Sequence, residues 1–198
     1  MFPFNALYTI VFLTLIACTA TNRPNRIVKK QIENAPESLV VFPFYDTSQF
    51  EVLDSAMGDL NLDPYPDKVI VLKDKHEHIT TTSARPALLL IGKSDFTYSL
   101  RARNDSIVLC NDCGGIYGDP YVDVVIEKGQ VRFEHYGGSG WRWTRNISFQ
   151  YKRQKSRWYL KEDSGVSYHA GEPDNVKTLR NNEDKYGKQL FEDFNNAF

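Results

Sequence analysis

From residue 38 to about residue 170, apolar side chains fall in short runs or in alternation, broken every few positions by Gly, Pro, Asn, Asp or Ser. That spacing predicts an all-β domain, a single antiparallel β-sandwich or barrel-like fold of about eight strands. Leu39-Val40-Val41-Phe42 and Lys68-Val69-Ile70-Val71-Leu72 are the first runs, followed by Ala87-Leu88-Leu89-Leu90-Ile91. The unbroken apolar character of the third suits a strand buried on both faces. Phe96-Thr97-Tyr98-Ser99-Leu100 alternates as a half-buried strand does, and Ser106-Ile107-Val108-Leu109 is a further short strand. Residues 122–127 and 131–136 flank Lys128-Gly129, a hairpin turn in which Gly supplies the positive φ. Residues 142–151 put Ile147, Phe149 and Tyr151 on one face and pair, across Arg153-Gln154-Lys155-Ser156, with Trp158-Tyr159-Leu160. No period recurs, so a propeller within this chain is excluded. Residues 171–198 form a C-terminal arm, with weak helical periodicity around Asp184-Lys185-Tyr186 and Leu190-Phe191.

The start of the chain is of another kind. Ala6 to Ala17 is apolar apart from two threonines, and no charged side chain appears before Arg23. A membrane-spanning helix needs about 20 apolar residues; this run has the shorter length of an export signal. Leu15-Ile16-Ala17-Cys18 resembles the lipobox of bacterial lipoproteins, although the first residues lack the usual Lys or Arg. The resemblance implies a signal peptide over 1–17, acylation of Cys18 as the mature N-terminus, and a lipid anchor on the exported side of the bacterial cell envelope. Residues 18–37 are polar, contain Pro24 and Pro36, and read as a flexible tether. Its Arg23, Arg26, Lys29 and Lys30 are each worth about 1 kcal/mol against anionic head groups if they reach them.

Length and charge narrow the reading. The 198 residues suit one domain plus a targeting segment, and 24 basic against 25 acidic residues leave a net charge of -1, which argues against a nucleic-acid partner. Aromatics at 13% tilt the composition further toward strands.

The sharpest chemical motif is Asp59-Leu60-Asn61-Leu62-Asp63-Pro64-Tyr65-Pro66-Asp67, with oxygen-bearing side chains at alternate positions just before an apolar strand. Calcium takes six to eight oxygens, and such spacing lets side chains converge on one ion. An EF-hand is ruled out because Pro64 and Ile70 stand where that motif needs Gly and a bidentate Glu. Residues 58–72 instead resemble the calcium loop and following strand of FG-GAP/VCBS repeats. The resemblance implies Asp59, Asn61, Asp63 and Asp67 as side-chain ligands, the Tyr65 carbonyl as another, and calcium as a structural ion. Pro64 replaces the glycine of that pattern and cannot supply positive φ.

A wider resemblance covers roughly residues 58–160, through Arg103-Asn104-Asp105, Val108-Leu109-Cys110-Asn111-Asp112-Cys113-Gly114-Gly115, Gly118-Asp119-Pro120, His135-Tyr136-Gly137-Gly138-Ser139 and Trp141-Arg142-Trp143. The chain looks like a group of uncharacterised bacterial secreted or lipoprotein domains, which implies export and a β fold and carries no activity.

With Cys18 lipidated, Cys110 and Cys113 remain in an oxidising compartment, where they would pair as a structural disulfide. A redox centre or half of a zinc site is the alternative use of C-x-x-C, but zinc needs two further N or S ligands. His76-Glu77-His78 reads as part of a solvated loop before Thr80-Thr81-Thr82. Gly137 to Trp143 lacks the strand-to-helix context of a phosphate cradle. Trp141 and Trp143 are expected to share a sheet face and fill the core, the other reading being an aromatic platform beside Arg142 and Arg145 for sugars or peptides. Lys152-Arg153-Gln154-Lys155-Ser156-Arg157 reads as an exposed hairpin tip. No nucleophile elbow, zincin helix or isolated carboxylate pair supports an enzyme. The sequence therefore points to a lipid-anchored envelope protein with a binding or structural role and a membrane contact through its lipid. Its further partner is an envelope protein or a glycan, and the alternative is a thiol-redox protein using Cys110 and Cys113.

Overall fold

The computed structural model describes residues 44–77 and 83–196, all within the unit Leu39–Phe198. The signal segment, Cys18, the tether, the expected strand Leu39-Val40-Val41-Phe42, and His78 lie outside the described residues.

Among the described residues, nine strands form two antiparallel sheets. Strands β1 (Phe50–Gly58), β2 (Asp67–Asp74), β3 (Arg85–Gly92) and β4 (Tyr98–Val108) make a four-stranded sheet in that order. Strands β5 (Tyr121–Glu127), β6 (Gln130–Gly138), β7 (Trp141–Lys152), β8 (Arg157–His169) and β9 (Glu172–Arg180) make a five-stranded one. Every strand pairs with its sequence neighbour, so the fold is two meanders packed face to face, and no α-helix occurs among the described residues.

The core follows from strand alternation. Val69, Val71, Ala87 and Leu89 of the first sheet meet Phe133, Ile147, Phe149, Trp158 and Leu160 of the second, all fully or nearly fully buried. Each such side chain contributes about 1.5–3 kcal/mol of transfer free energy. The positions between them on β2 and β3, Ile70, Leu72, Leu88 and Leu90, form a second buried cluster on the outer face of the four-stranded sheet. Burial on both faces is why these strands read as continuous apolar runs. The turn at Lys128-Gly129 is as expected, with Gly129 at φ +71°.

The structure adds strands that the pattern hid. β1 carries a register shift between Val52 and Asp54, which breaks its alternation. β9 lies at the sheet edge, exposed at nearly every position, so its side chains are mostly polar, and Val176 and Leu179, three apart, make no alternating signal. The sheet thus runs to Arg180, past the expected boundary near 170. Residues 96–100 and 106–109 belong largely to one long strand, β4. The rest of the arm holds a short 3-10 turn, Glu183–Lys185, and then inserts Phe191 and Phe194 into the core. Asn104 of β4 fastens it there, donating to the carbonyls of Phe191 (2.9 Å) and Phe194 (2.7 Å).

Candidate docking site at the disulfide loop

The loop from β4 to β5 carries Cys110 and Cys113, whose sulfurs are bonded at 2.02 Å with Cα atoms 5.2 Å apart. It continues through a tight turn in which Gly114 N–H donates to the Gly118 carbonyl at 2.8 Å. This turn packs against the β6–β7 hairpin: Gly138 N–H donates to Gly114 O at 2.8 Å, and Ile116 N–H to Gly138 O at 3.2 Å. Glycine is required at the junction. A Cβ on Gly137 would lie 2.5 Å from the Trp143 ring, and one on Gly138, at φ +117°, would lie 2.0 Å from the Trp141 carbonyl. The Gly-rich stretch is therefore a packing device rather than a ligand cradle.

A buried charge network anchors the loop from beneath. Arg85, fully buried at the head of β3, donates to both carboxylate oxygens of Glu77 (2.9 and 2.7 Å) and of Asp119 (2.7 Å each). Burial works against the arginine's charge, but bonds from Asp119 and Glu77 outweigh it and hold its pKa above the ordinary value. Glu77 is thus a structural acid, whereas its neighbour His76 is solvent-exposed. Nearby, His135 receives the Leu109 N–H at Nε2 (3.4 Å) and lies 3.3 Å by Nδ1 from the Arg145 carbonyl, and burial pushes its pKa down to about 4. Tyr121 packs edge-on against His135 and donates to Asp54 at 2.9 Å. Burial first, and that bond second, raise its pKa.

Above this base lie two aromatic clusters, one on each face of the sheet end. Arg142 stacks with its guanidinium carbon 4.1 Å from the Tyr117 ring centre, and Nη1 is buried without a hydrogen-bond partner among the described residues. Tyr117 meets Tyr136 at 5.5 Å between ring centres, and Tyr136 is hydrogen-bonded to Tyr168, which holds its hydroxyl proton more tightly than usual. On the hairpin, Trp141 packs edge-on to His169 at 5.4 Å with Lys177 Nζ 5.3 Å from its ring. Ile116 is 80% exposed, Tyr117 47% and Trp141 52%.

This corrects the expectation that Trp141 and Trp143 fill the core. Unbroken register from Trp141 to Ile147 puts the two indoles on the face that carries Ile147, but the core stops short of them. Trp143 is half-buried against Gly137, and Trp141 stays open. The platform reading fits Arg142 but not Arg145, which turns inward to pair with buried Asp163 at 2.7 and 2.8 Å. Tyr117, Tyr168 and Lys177 had no sequence signal as site residues, because Tyr117 and Tyr168 reach Arg142, and Lys177 reaches Trp141 on the other face, from separate strands and a loop.

The acidic loop lies between β1 and β2. Asp59 accepts from Leu62 N–H (2.6 Å), Asn61 from Asp63 N–H (3.0 Å) and Asp63 from Tyr65 N–H (2.8 Å), so the loop is bonded to itself. Its positive φ falls on Leu62 at +65°, not on Pro64. Asp67 points inward, fully buried between the amides of Leu60 (2.7 Å) and Gly92 (2.9 Å), and desolvation raises its pKa against those two bonds. Among the described residues, His, Cys, Asp or Glu ligand atoms gather in threes within 4.8 Å only at Cys110, Asp112 and Cys113, not at Asp59, Asp63 and Asp67. The two cysteines, being bonded to each other, offer no thiolate. Asp112 also lies 2.9 Å from Cys110 Sγ, where its charge would oppose thiolate formation.

No protein-family model, curated protein or solved structure matches the chain.

Proposed function

We propose that this protein is an exported, lipid-anchored, non-catalytic binding module of the bacterial envelope, and that it holds a protein partner on the disulfide-loop platform. The observation that carries the reading is the stack of Arg142 on Tyr117 next to open Ile116 on the same loop, with Trp141 open at the adjoining strand position on the opposite sheet face. Tyr, Trp and Arg dominate the energetics of protein interfaces, and their rings contribute large area at small entropic cost. Exposed Ile116 favours a protein over a glycan, since an aliphatic side chain finds no polar complement on a sugar. The Cys110–Cys113 link serves as a staple of the loop, a role supported by the absence of a helix at the pair and by the adjacent Asp112 carboxylate.

The test is capture by the lipidated protein from solubilised envelope, compared between wild type, Trp141→Ala, Arg142→Ala and the distant Lys155→Ala. Loss of the same captured protein in the first two variants, with retention in the third and unchanged melting temperatures, is expected. Capture indifferent to Trp141 and Arg142, or binding of the wild type to envelope glycans alone, overturns the reading. The lipid anchor is tested by Cys18→Ser, which should abolish labelled fatty-acid uptake and detergent partitioning.

A second mode of docking is favoured by β9, whose outer edge is uncovered among the described residues. An extended peptide could add a strand there, with Lys177 placing Trp141 within reach of its side chains. Pro173 and the charged residues of β9 guard that edge against self-association. Calcium is proposed as a stabilising ion of the acidic loop on resemblance and spacing alone. Binding would exchange the loop's internal hydrogen bonds for ion contacts.

A further inference from the structure

We propose that Arg142 binds a carboxylate of the partner, so that the ligand of the disulfide-loop site is an acidic peptide segment with an apolar residue beside the acid. This rests on the platform reading above and names what the partner presents there. Among the described residues every other arginine holds a carboxylate or a backbone carbonyl. Arg153 donates to Leu62 O at 2.8 Å and Arg101 to Ser156 O at 3.3 Å, and the rest stand in ion pairs. Arg142 has neither. Its guanidinium carbon lies 4.1 Å from the Tyr117 ring centre, and its Nη1 is buried with no hydrogen-bond partner among the described residues. A guanidinium cannot shed its proton in a protein, and a buried donor left without an acceptor is costly. The side chain as a whole is only half-buried, so a ligand can reach it.

Strand register brings the rest of the site to this arginine. Arg142 stands directly opposite Tyr168 on the outward face, and Tyr136 with Thr144 makes the next outward row. Tyr136 gives its hydroxyl proton to Tyr168, and a phenol that accepts a bond keeps its own O–H to donate. Residues directly opposite on paired strands have Cβ atoms about 5 Å apart, so one carboxylate can meet both the Arg142 fork and the Tyr168 hydroxyl. Ile116, 80% exposed, precedes the stacked Tyr117 in the loop and seats the apolar neighbour of the acid. The charge pattern selects one carboxylate over a polyanion. Glu134, the nearest outward acid on β6, is held by Arg132 at 2.8 Å, and the outward pairs Tyr136 with Thr144 and Val166 with Thr178 carry no second cation. Phosphate-rich ligands are gripped by clusters of arginines, whereas a single planar fork matches a single carboxylate through two parallel bonds.

The test pans the full lipidated chain in detergent against a displayed library of random dodecapeptides. Enriched peptides should carry Asp or Glu beside Leu, Ile or an aromatic residue. In a synthetic enriched peptide, changing that acid to its amide should weaken binding, read by fluorescence anisotropy, by about 10- to 100-fold. Arg142→Gln should weaken the acidic peptide to the same degree and leave the amide peptide unchanged, and Lys155→Ala should alter neither. Arg142→Lys should restore only part of the loss, since an ammonium keeps the charge but not the planar fork. The acid-to-amide change lies in the peptide, so this comparison stands even where a protein variant fails to fold. Enrichment without acids, no enrichment, equal affinity for acid and amide, an acid effect that survives Arg142→Gln, or binding of heparin in place of acidic peptides each overturns the proposal. Loss of the captured envelope protein in Arg142→Ala without acid dependence in the peptides sinks this proposal and leaves the platform standing. Envelope capture that ignores Arg142 sinks the platform itself.

Discussion

Arg85 and Asp119 meet through two parallel hydrogen bonds of 2.7 Å, Nη1 to Oδ1 and Nη2 to Oδ2, and this contact ties the disulfide loop to the head of β3. The arginine is fully buried while the Asp119 side chain is 42% exposed, so the two ends of the bond differ in what their loss costs. Arg85→Met strands Glu77 as an unpaired, nearly buried carboxylate and should cost about 3–5 kcal/mol in denaturant unfolding. Asp119→Ala leaves Arg85 bonded to Glu77 and should cost about 1 kcal/mol. It should nevertheless weaken partner capture, because the loop bearing Tyr117 is no longer fixed. Equal destabilisation by both changes contradicts the assignment of Glu77 as the inner partner.

Gly138 sits at the crossing of the loop and the hairpin, where a Cβ would lie 2.0 Å from the Trp141 carbonyl at a φ of +117°. Gly138→Ala should cost about 2–4 kcal/mol through backbone strain and displacement, and should alter the near-ultraviolet circular dichroism of Trp141 and Trp143. Gly118 also has positive φ, +71°, but nothing lies within 4 Å of its Cβ position. Gly118→Ala should therefore cost only about 1 kcal/mol. Comparable losses at the two positions would refute a steric requirement at the crossing.

His135 makes the domain sensitive to mild acid. Its pKa is pushed by burial from 6.5 down to about 4 in the folded state. Between those values the unfolded chain takes up a proton that the folded chain refuses, so stability falls as pH drops from about 6.5 to about 4 and this contribution levels off below. Over the full interval the loss is about 3 kcal/mol. His135→Gln should flatten this part of the stability profile, measured by urea unfolding at closely spaced pH values. A profile of unchanged slope would assign the acid sensitivity to other groups.

The acidic loop separates a structural acid from candidate ion ligands. Asp67 is buried between the amides of Leu60 and Gly92, so Asp67→Ala leaves both donors unpaired and should cost about 2–4 kcal/mol with or without calcium. Asp63→Ala removes two part-exposed turn bonds, accepted from Tyr65 N–H and from the Asn61 side-chain amide, and should cost about 1 kcal/mol in chelator. The proposed ion should raise the wild-type melting temperature at millimolar concentration and leave the Asp63→Ala protein unchanged. A wild-type midpoint indifferent to calcium and chelator disposes of the ion and leaves the Asp67 prediction standing.

The fold class was legible in the chain because burial writes itself into alternation. β2, β3, β6 and β7 carry either two-sided apolar runs or one-sided stripes, and the Gly129 turn announces its hairpin. β1 and β9 were not legible, because one shifts register and the other lies on an edge where water, not a neighbour, sets the side chains. Arg85 gave a faint signal, a lone charge at the head of an apolar strand, but its partners lie 8 and 34 residues away in sequence. Likewise Tyr117, Arg142 and Tyr168 on one face, and Trp141 and Lys177 on the other, come together only when three strands and one loop are in register. Sequence by itself determined the fold class, most of the strands and the hairpin turn at Gly129, since these depend on local periodicity and φ. Tertiary structure alone decided which polar residues are buried and paired and which aromatic ones stay open. Both depend on where the opposing sheet ends, and no local pattern encodes that distance.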